Sequence, residues 1–176
     1  MKKILVVVDM QNDFIDGSLG TKEAVAIVPN VAKKIRSFDG DMIFVTYDTH
    51  YENYMDTLEG QKLPVPHCIE GTPGHELGAE VKAALSGKKY IDVMKNGFGT
   101  FSIANFLKVK YPDEELAIEL VGLCTDVCVV SNALVLRAAY PNYIISVDAS
   151  CCAGVTPETH EAALETMRCC QIDIIG

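Results

Sequence analysis

The sequence has no excess of positive charge. Fifteen Lys and Arg face 24 Asp and Glu, for a formal net charge of −9, and the basic residues form no cluster. A polyanion such as nucleic acid, or an anionic membrane surface, is therefore a poor partner. There is also no apolar run approaching the ~20 residues of a membrane-spanning helix. Repeats, low-complexity tracts and linkers are absent, which excludes solenoids and points away from disorder. The N-terminal lysines Lys2 and Lys3 precede an apolar run, but that run spans only Ile4 to Val8 before Asp9. It is shorter than the ~7–15 residues of a signal core, so a core strand and a cytoplasmic protein are expected. The seven cysteines are odd in number, with vicinal pairs at Cys151-Cys152 and Cys169-Cys170. A secreted disulfide framework fits such a chain poorly, and most of these residues read as reduced, small, core-forming thiols.

What is present is an alternation of strands and helices over one domain, residues 1–176, long enough to bury roughly 70% of the surface its unfolded chain exposes. Strands are expected at 4–8, 42–47, 89–94, 115–121, 142–147 and 172–175. Helices are expected from Pro29 to about Phe38, from His75 to Leu85, from Phe101 to about Val109 behind a Thr100 cap, over 127–139, and from Pro157 to about Cys169 behind a Thr156 cap. Residues 51–74, rich in Pro and Gly, read as a long irregular loop of the kind that carries function. The pattern predicts an α/β fold: a doubly wound, mainly parallel six-stranded sheet, order 3-2-1-4-5-6, with helices on both faces. Ligands in such sheets bind beyond the carboxyl ends of the strands. Asp9, Asp48 and His50, Lys95, and the turn with Cys124 and Cys128 all fall there. With strands one and four adjacent, Asp9 and Cys128 should be close.

Two constellations follow. Cys128 sits in the first turn of its helix, where outward backbone N–H groups and the helix dipole favour a thiolate. A carboxylate can take its proton and a lysine can balance the charge, so Asp9, Lys95 and Cys128 make one chemical set. Singly, each has a bland alternative: a turn-capping carboxylate, a solvated lysine, a buried helix residue. The second set is Asp48, His50, Glu59 and His67, with His67 in the proline-stiffened Pro64-Val65-Pro66-His67-Cys68. Two imidazoles and two carboxylates suit zinc, manganese or iron, against the alternative of histidines with local hydrogen bonds. Cys68 reads as core. A Cys124–Cys128 redox pair is a further alternative, but its spacing is not Cys-x-x-Cys. The Cys151-Cys152 pair is expected after the fifth strand, at the pocket edge.

Three motifs resemble the isochorismatase-like cysteine hydrolases, most closely the nicotinamidases: Asp9-Met10-Gln11-Asn12-Asp13-Phe14, Lys95-Asn96-Gly97-Phe98, and Gly122-Leu123-Cys124-Thr125-Asp126-Val127-Cys128-Val129. The resemblance covers nearly the whole chain. It implies that Asp9, Lys95 and Cys128 are a catalytic triad. It further implies a cis Leu123–Cys124 peptide and an oxyanion hole from the Cys124 and Cys128 amides. It makes Asp48, His50, Glu59 and His67 the ligands of one divalent metal, zinc first and manganese or iron as alternatives. Some nicotinamidases carry the third ligand six residues after the first histidine, so Asp56 is held in reserve for Glu59. Phe14 and Leu19 become pocket walls. The implied activity is hydrolysis of nicotinamide to nicotinate and ammonia through a cysteine thioester. The alternatives are a related hydrolase of another small amide or ureido compound, and a thiol redox or metal-binding protein without hydrolysis. The expected partner is a small-molecule amide; homo-oligomerisation is left open.

Overall fold

The computed structural model describes residues 1–176. Six strands form one parallel sheet: β1 (Lys2–Val8), β2 (Met42–Asp48), β3 (Tyr90–Lys95), β4 (Leu116–Leu123), β5 (Ile144–Ala153) and β6 (Asp173–Ile175). Their order is β3-β2-β1-β4-β5-β6, as expected. β1 and β4 are central and nearly continuously buried, the pattern of a sheet covered on both faces.

Strand alternation divides the core in two. Ile4, Val6 and Val8 face one way, and Leu5 and Val7 the other. The first set packs against α5 (Ser102–Lys110), α6 (Val130–Ala139) and α7 (Pro157–Cys169), through residues such as Leu107, Leu136 and Met167. The second packs against α1 (Asn12–Ile15), α2 (Lys22–Ser37) and α4 (Ala79–Leu85), through Phe14, Val31, Ile35 and Val81.

Several boundaries differ from expectation. Pro29 does not open α2 but lies inside it; the helix begins at Lys22, where the Thr21 hydroxyl accepts from Ala24 N–H. Pro29 and Val25, whose carbonyl loses its helical donor, are both exposed, so water can serve that carbonyl. α4 begins at Ala79 rather than His75, because Leu77 bridges Gln11 and Gly78 N–H bonds the Met10 carbonyl, holding this segment off the helix. Residues 51–74 contain a 3₁₀ turn (Tyr54–Asp56) and α3 (Leu58–Lys62), capped by Thr57. α5 starts at Ser102; Thr100 accepts from Ser102 N–H but is not its N-cap. β5 runs on to Ala153, so Cys151 and Cys152 are buried strand residues rather than a pocket edge. β4 runs through Gly122 to Leu123. A Cβ on Gly122 would lie 2.1 Å from the Val8 carbonyl oxygen, and its φ is +122°. Glycine here lets the central strands stay in register to their carboxyl ends, where the chemistry sits.

Candidate active site

The ends of four strands deliver one group each. Asp9 follows β1 with a left-handed backbone, φ +46°, a conformation that costs free energy and is held by its surroundings. Its N–H bonds the Thr46 carbonyl, and its Oδ1 accepts from the Thr46 hydroxyl at 2.6 Å. Asp48 ends β2, Lys95 ends β3, and Cys128 lies in a π-helical turn, Thr125–Val129, between β4 and α6. The Leu123–Cys124 peptide is cis, as the resemblance implies.

Lys95 is the hub. Its Nζ lies 2.7 Å from Asp9 Oδ2, 3.4 Å from Asp48 Oδ1 and 3.4 Å from Cys128 Sγ. All four groups are buried. The Lys95–Asp9 contact is a fully buried ion pair. Burial, then the Asp9 charge, pushes the Cys128 thiol well up, against the pull of Lys95. Burial also raises Asp9, only partly offset by Lys95. For Lys95, burial favours the neutral amine, but Asp9, Cys128 and Asp48 outweigh it and the ammonium is retained. Cys128 therefore rests as a thiol that needs a base, and the adjacent carboxylate has an enhanced proton affinity.

Asp48 joins this set to the second one. Its Oδ2 is 3.1 Å from His50 Nε2 and 3.5 Å from His67 Nε2. Glu59 Oε1 is 3.7 Å from both imidazole nitrogens. One donor atom from each of Asp48, His50, Glu59 and His67 lies within 4.8 Å of the others. The separations of 3.1–3.7 Å match the edges of a coordination shell with bonds of about 2.0–2.2 Å. The donor chemistry fits a divalent ion: two imidazoles, two carboxylates and no thiolate. His67 Nδ1 pairs with the Val65 carbonyl at 2.8 Å, which fixes that nitrogen as the protonated one and turns the Nε2 lone pair to the cluster. Asp48 stays ionised: burial raises it, but His50, His67 and Lys95 together pull it well below the usual carboxylate range. Glu59 reaches the cluster from the first turn of α3, whereas Asp56 is exposed and outside it.

A cavity of about 210 Å³ lies against both sets, reaching Cys128 and Cys124 on one side and Asp48, Glu59 and His67 on another. Phe14, Leu19, Val127 and Phe98 supply apolar walls. Phe14 and Leu19 thus stand where expected; Phe98 lay inside a quoted motif without being singled out. Cys124 also lines the cavity, and burial, with Asp126 adding to it, pushes its thiol up to about 12.

Two residues that carry no chemistry organise the site, and the sequence reading passed over them. Gln11, fully buried, accepts from Asp48 N–H through Oε1 at 2.8 Å, and its Nε2 donates to the carbonyls of Asp48 and His75, each at 2.9 Å. Asp13 Oδ2 accepts from Cys68 N–H at 2.8 Å, beside His67. The segment after β1 thereby anchors the backbone of Asp48 and of Cys68, the neighbour of His67. Nothing in residue type marks such roles; only the polar character of Gln11-Asn12-Asp13 between buried Met10 and Phe14 hints at them.

The sequence profile of the isochorismatase domain matches residues 3–175. The chain is 27% identical to a nicotinamidase/pyrazinamidase of Mycobacterium tuberculosis, over 98% of both proteins. The crystal structure of a pyrazinamidase of Pyrococcus horikoshii in complex with zinc superposes with a TM-score of 0.82 at 27% identity, covering 99% of each chain. An N-carbamoylsarcosine amidase of Thermoplasma acidophilum superposes with a TM-score of 0.79 at 28% identity, over 99% of this chain and 96% of the other.

Proposed function

The chain belongs to the isochorismatase family, and from that premise we propose that it is a cysteine amidohydrolase that converts nicotinamide to nicotinate and ammonia. The observation that carries this reading is Lys95 in contact with both Asp9 and Cys128 beside a cavity also lined by the donor cluster. Relatives named for amide hydrolysis support the reaction class.

Asp9 takes the Cys128 proton, and the thiolate attacks the carboxamide carbon. The amides of Cys124 and Cys128 receive the oxyanion. Collapse breaks the C–N bond, Asp9 returns the proton to the departing ammonia, and a thioester remains. Water then attacks that thioester, giving its proton to Asp9, and the released thiolate is reprotonated. Lys95 stays charged and balances the anion at each stage. Asp48, His50, Glu59 and His67 would hold one divalent ion, zinc ahead of manganese or iron. Bound there, the ion would supply a Lewis acid for the pyridine nitrogen. The buried Cys68, Cys151 and Cys152 are free thiols, which supports a reducing, cytoplasmic setting.

The second reading is hydrolysis of a ureido compound, favoured by the likeness to the N-carbamoylsarcosine amidase. Against it, the cavity lining includes Asp48 and Glu59 but no Lys or Arg to pair a substrate carboxylate. Ammonia release across a panel of small amides, with and without chelator, separates the two. Nicotinamide should be the best substrate, and chelation should suppress its turnover. Cys128→Ala should abolish turnover with the fold intact by circular dichroism; normal amidase activity in that variant would overturn the assignment.

A further inference from the structure

A second, more open cleft of about 710 Å³ adjoins the inner cavity. Its lining includes the polar residues Thr49, Asn53, Lys62 and Asn96. The two spaces share four lining residues: Glu59, Leu63, Phe98 and Val127. Of these, Phe98 has the largest side chain and is half exposed. We propose that Phe98 is the specificity-determining wall of the inner cavity, and that its ring sets the upper size limit of the amide by closing that cavity off from the outer cleft. The proposal rests on the amidohydrolase reading.

Phe98 carries its half-exposed ring on a tethered backbone. Phe98 is flanked by Gly97 and Gly99; an added Cβ at Gly97 would meet nothing within 4 Å, while one at Gly99 would lie 3.2 Å from Ser131. Buried Asn132 donates through Nδ2 to the Phe98 carbonyl at 3.2 Å, and its Oδ1 accepts from Thr100 N–H at 3.1 Å. The same Nδ2 donates to the Cys128 carbonyl at 2.8 Å. Asn132 therefore ties the wall to the turn that carries the sulfur, so the distance from nucleophile to wall is set by one side chain. Leu63 completes the partition with a smaller aliphatic group. Removing the Phe98 ring should merge two spaces of very different volume, whereas a Leu63 truncation should open a narrower gap.

The test measures kcat/KM for nicotinamide and for nicotinamides bearing methyl, bromo or phenyl substituents at each free ring position, in the wild type, Phe98→Leu, Phe98→Ala and Leu63→Ala. Wild-type activity should fall with substituent size at one ring position at least. At that position Phe98→Ala should raise kcat/KM tenfold or more for the phenyl compound while lowering it for nicotinamide through a higher KM, with Phe98→Leu between. A melting curve for each variant separates unfolding from altered selectivity, and Phe98→Leu retains most of the packing if Phe98→Ala is unstable. A size profile that keeps its shape in a folded Phe98 variant would overturn the proposal. Failure of the underlying reading is seen separately, in wild-type enzyme that does not cleave nicotinamide. The same size series is then built on whichever small amide the wild type does cleave, and the same inversion is required.

Discussion

Cys124 and Cys128 stand four positions apart on one turn and differ in what surrounds their sulfur atoms. Burial pushes both thiols up, but Cys128 Sγ touches Lys95, which also pairs with Asp9, whereas Cys124 has no such lysine contact. Both thiols rest protonated, and only Cys128 has a paired lysine and carboxylate to activate it. Cys124→Ala should therefore keep turnover within about tenfold of the wild type, since only a small lining group is removed. Steady-state ammonia release decides this; inactivity in a folded Cys124→Ala protein would give its side chain a chemical role. Gln11 makes a sharper case. Gln11→Met is close to isosteric but strips three hydrogen bonds and leaves buried Asp48 backbone groups unpaired, at about 1–3 kcal/mol for each unsatisfied group. Metal affinity should fall about 10–100-fold, measured by competition with a chromophoric chelator. Unchanged affinity would show that Asp48 keeps its place without this clamp.

At the level of elements, the junctions between strand and turn carry the function. Gly122 lets β4 lie against β1 up to its last residues, and the Thr125–Val129 turn follows at once. Gly122→Ala would force Cβ into the Val8 carbonyl and demand a backbone conformation that alanine resists, so a cost of about 3–5 kcal/mol is expected. Chemical denaturation measures it, and a loss below about 1 kcal/mol would mean that the strands can part easily. α7 was the most legible helix. Thr156 caps α7 with a capping box completed by Thr159, and Pro157 stands at the first position, as its sequence pattern foretells. α2 misled because Pro29 resembled a start signal, while the true cap, Thr21, lay eight residues earlier. α3 was missed because five residues give no helical period; its effect is to place Glu59 at the donor cluster.

Across the whole molecule, the ion cluster at Lys34 ties helix to sheet. Lys34 Nζ lies 2.6 Å from Glu119 on β4 and 2.8 Å from Asp148 on β5. Burial raises Asp148, but Lys34 and Ser150 more than reverse it, leaving the carboxyl below its ordinary 3.8. A depressed folded value means that this contribution is present above 3.8 and is lost as pH falls through the folded value. Lys34→Met should lower stability by on the order of 1 kcal/mol at neutral pH, given its partial exposure, and the deficit should shrink below about pH 4. Melting temperatures of both proteins from pH 3 to 7 test the sign: a deficit that grows with acid contradicts it.

The sequence alone determined the layers, the strand order and the edge of the sheet at which the chemistry gathers. Those follow from local signals: apolar strand runs, turn glycines and the handedness of parallel crossovers, all of which survive in one dimension. It also named Asp9, Lys95 and Cys128, because parallel topology sends every strand end to one side. The tertiary structure decided what depends on distance and shielding. It brought Glu59 and not exposed Asp56 to the donor cluster, made Asp48 a bridge between two clusters, paired Asp9 with Lys95 in the interior, and placed Phe98 at the border of two cavities. Such facts arise from residues tens of positions apart meeting in a low-dielectric interior. There a shift of one hydrogen-bond length changes an interaction's worth, and no spacing in the chain records it.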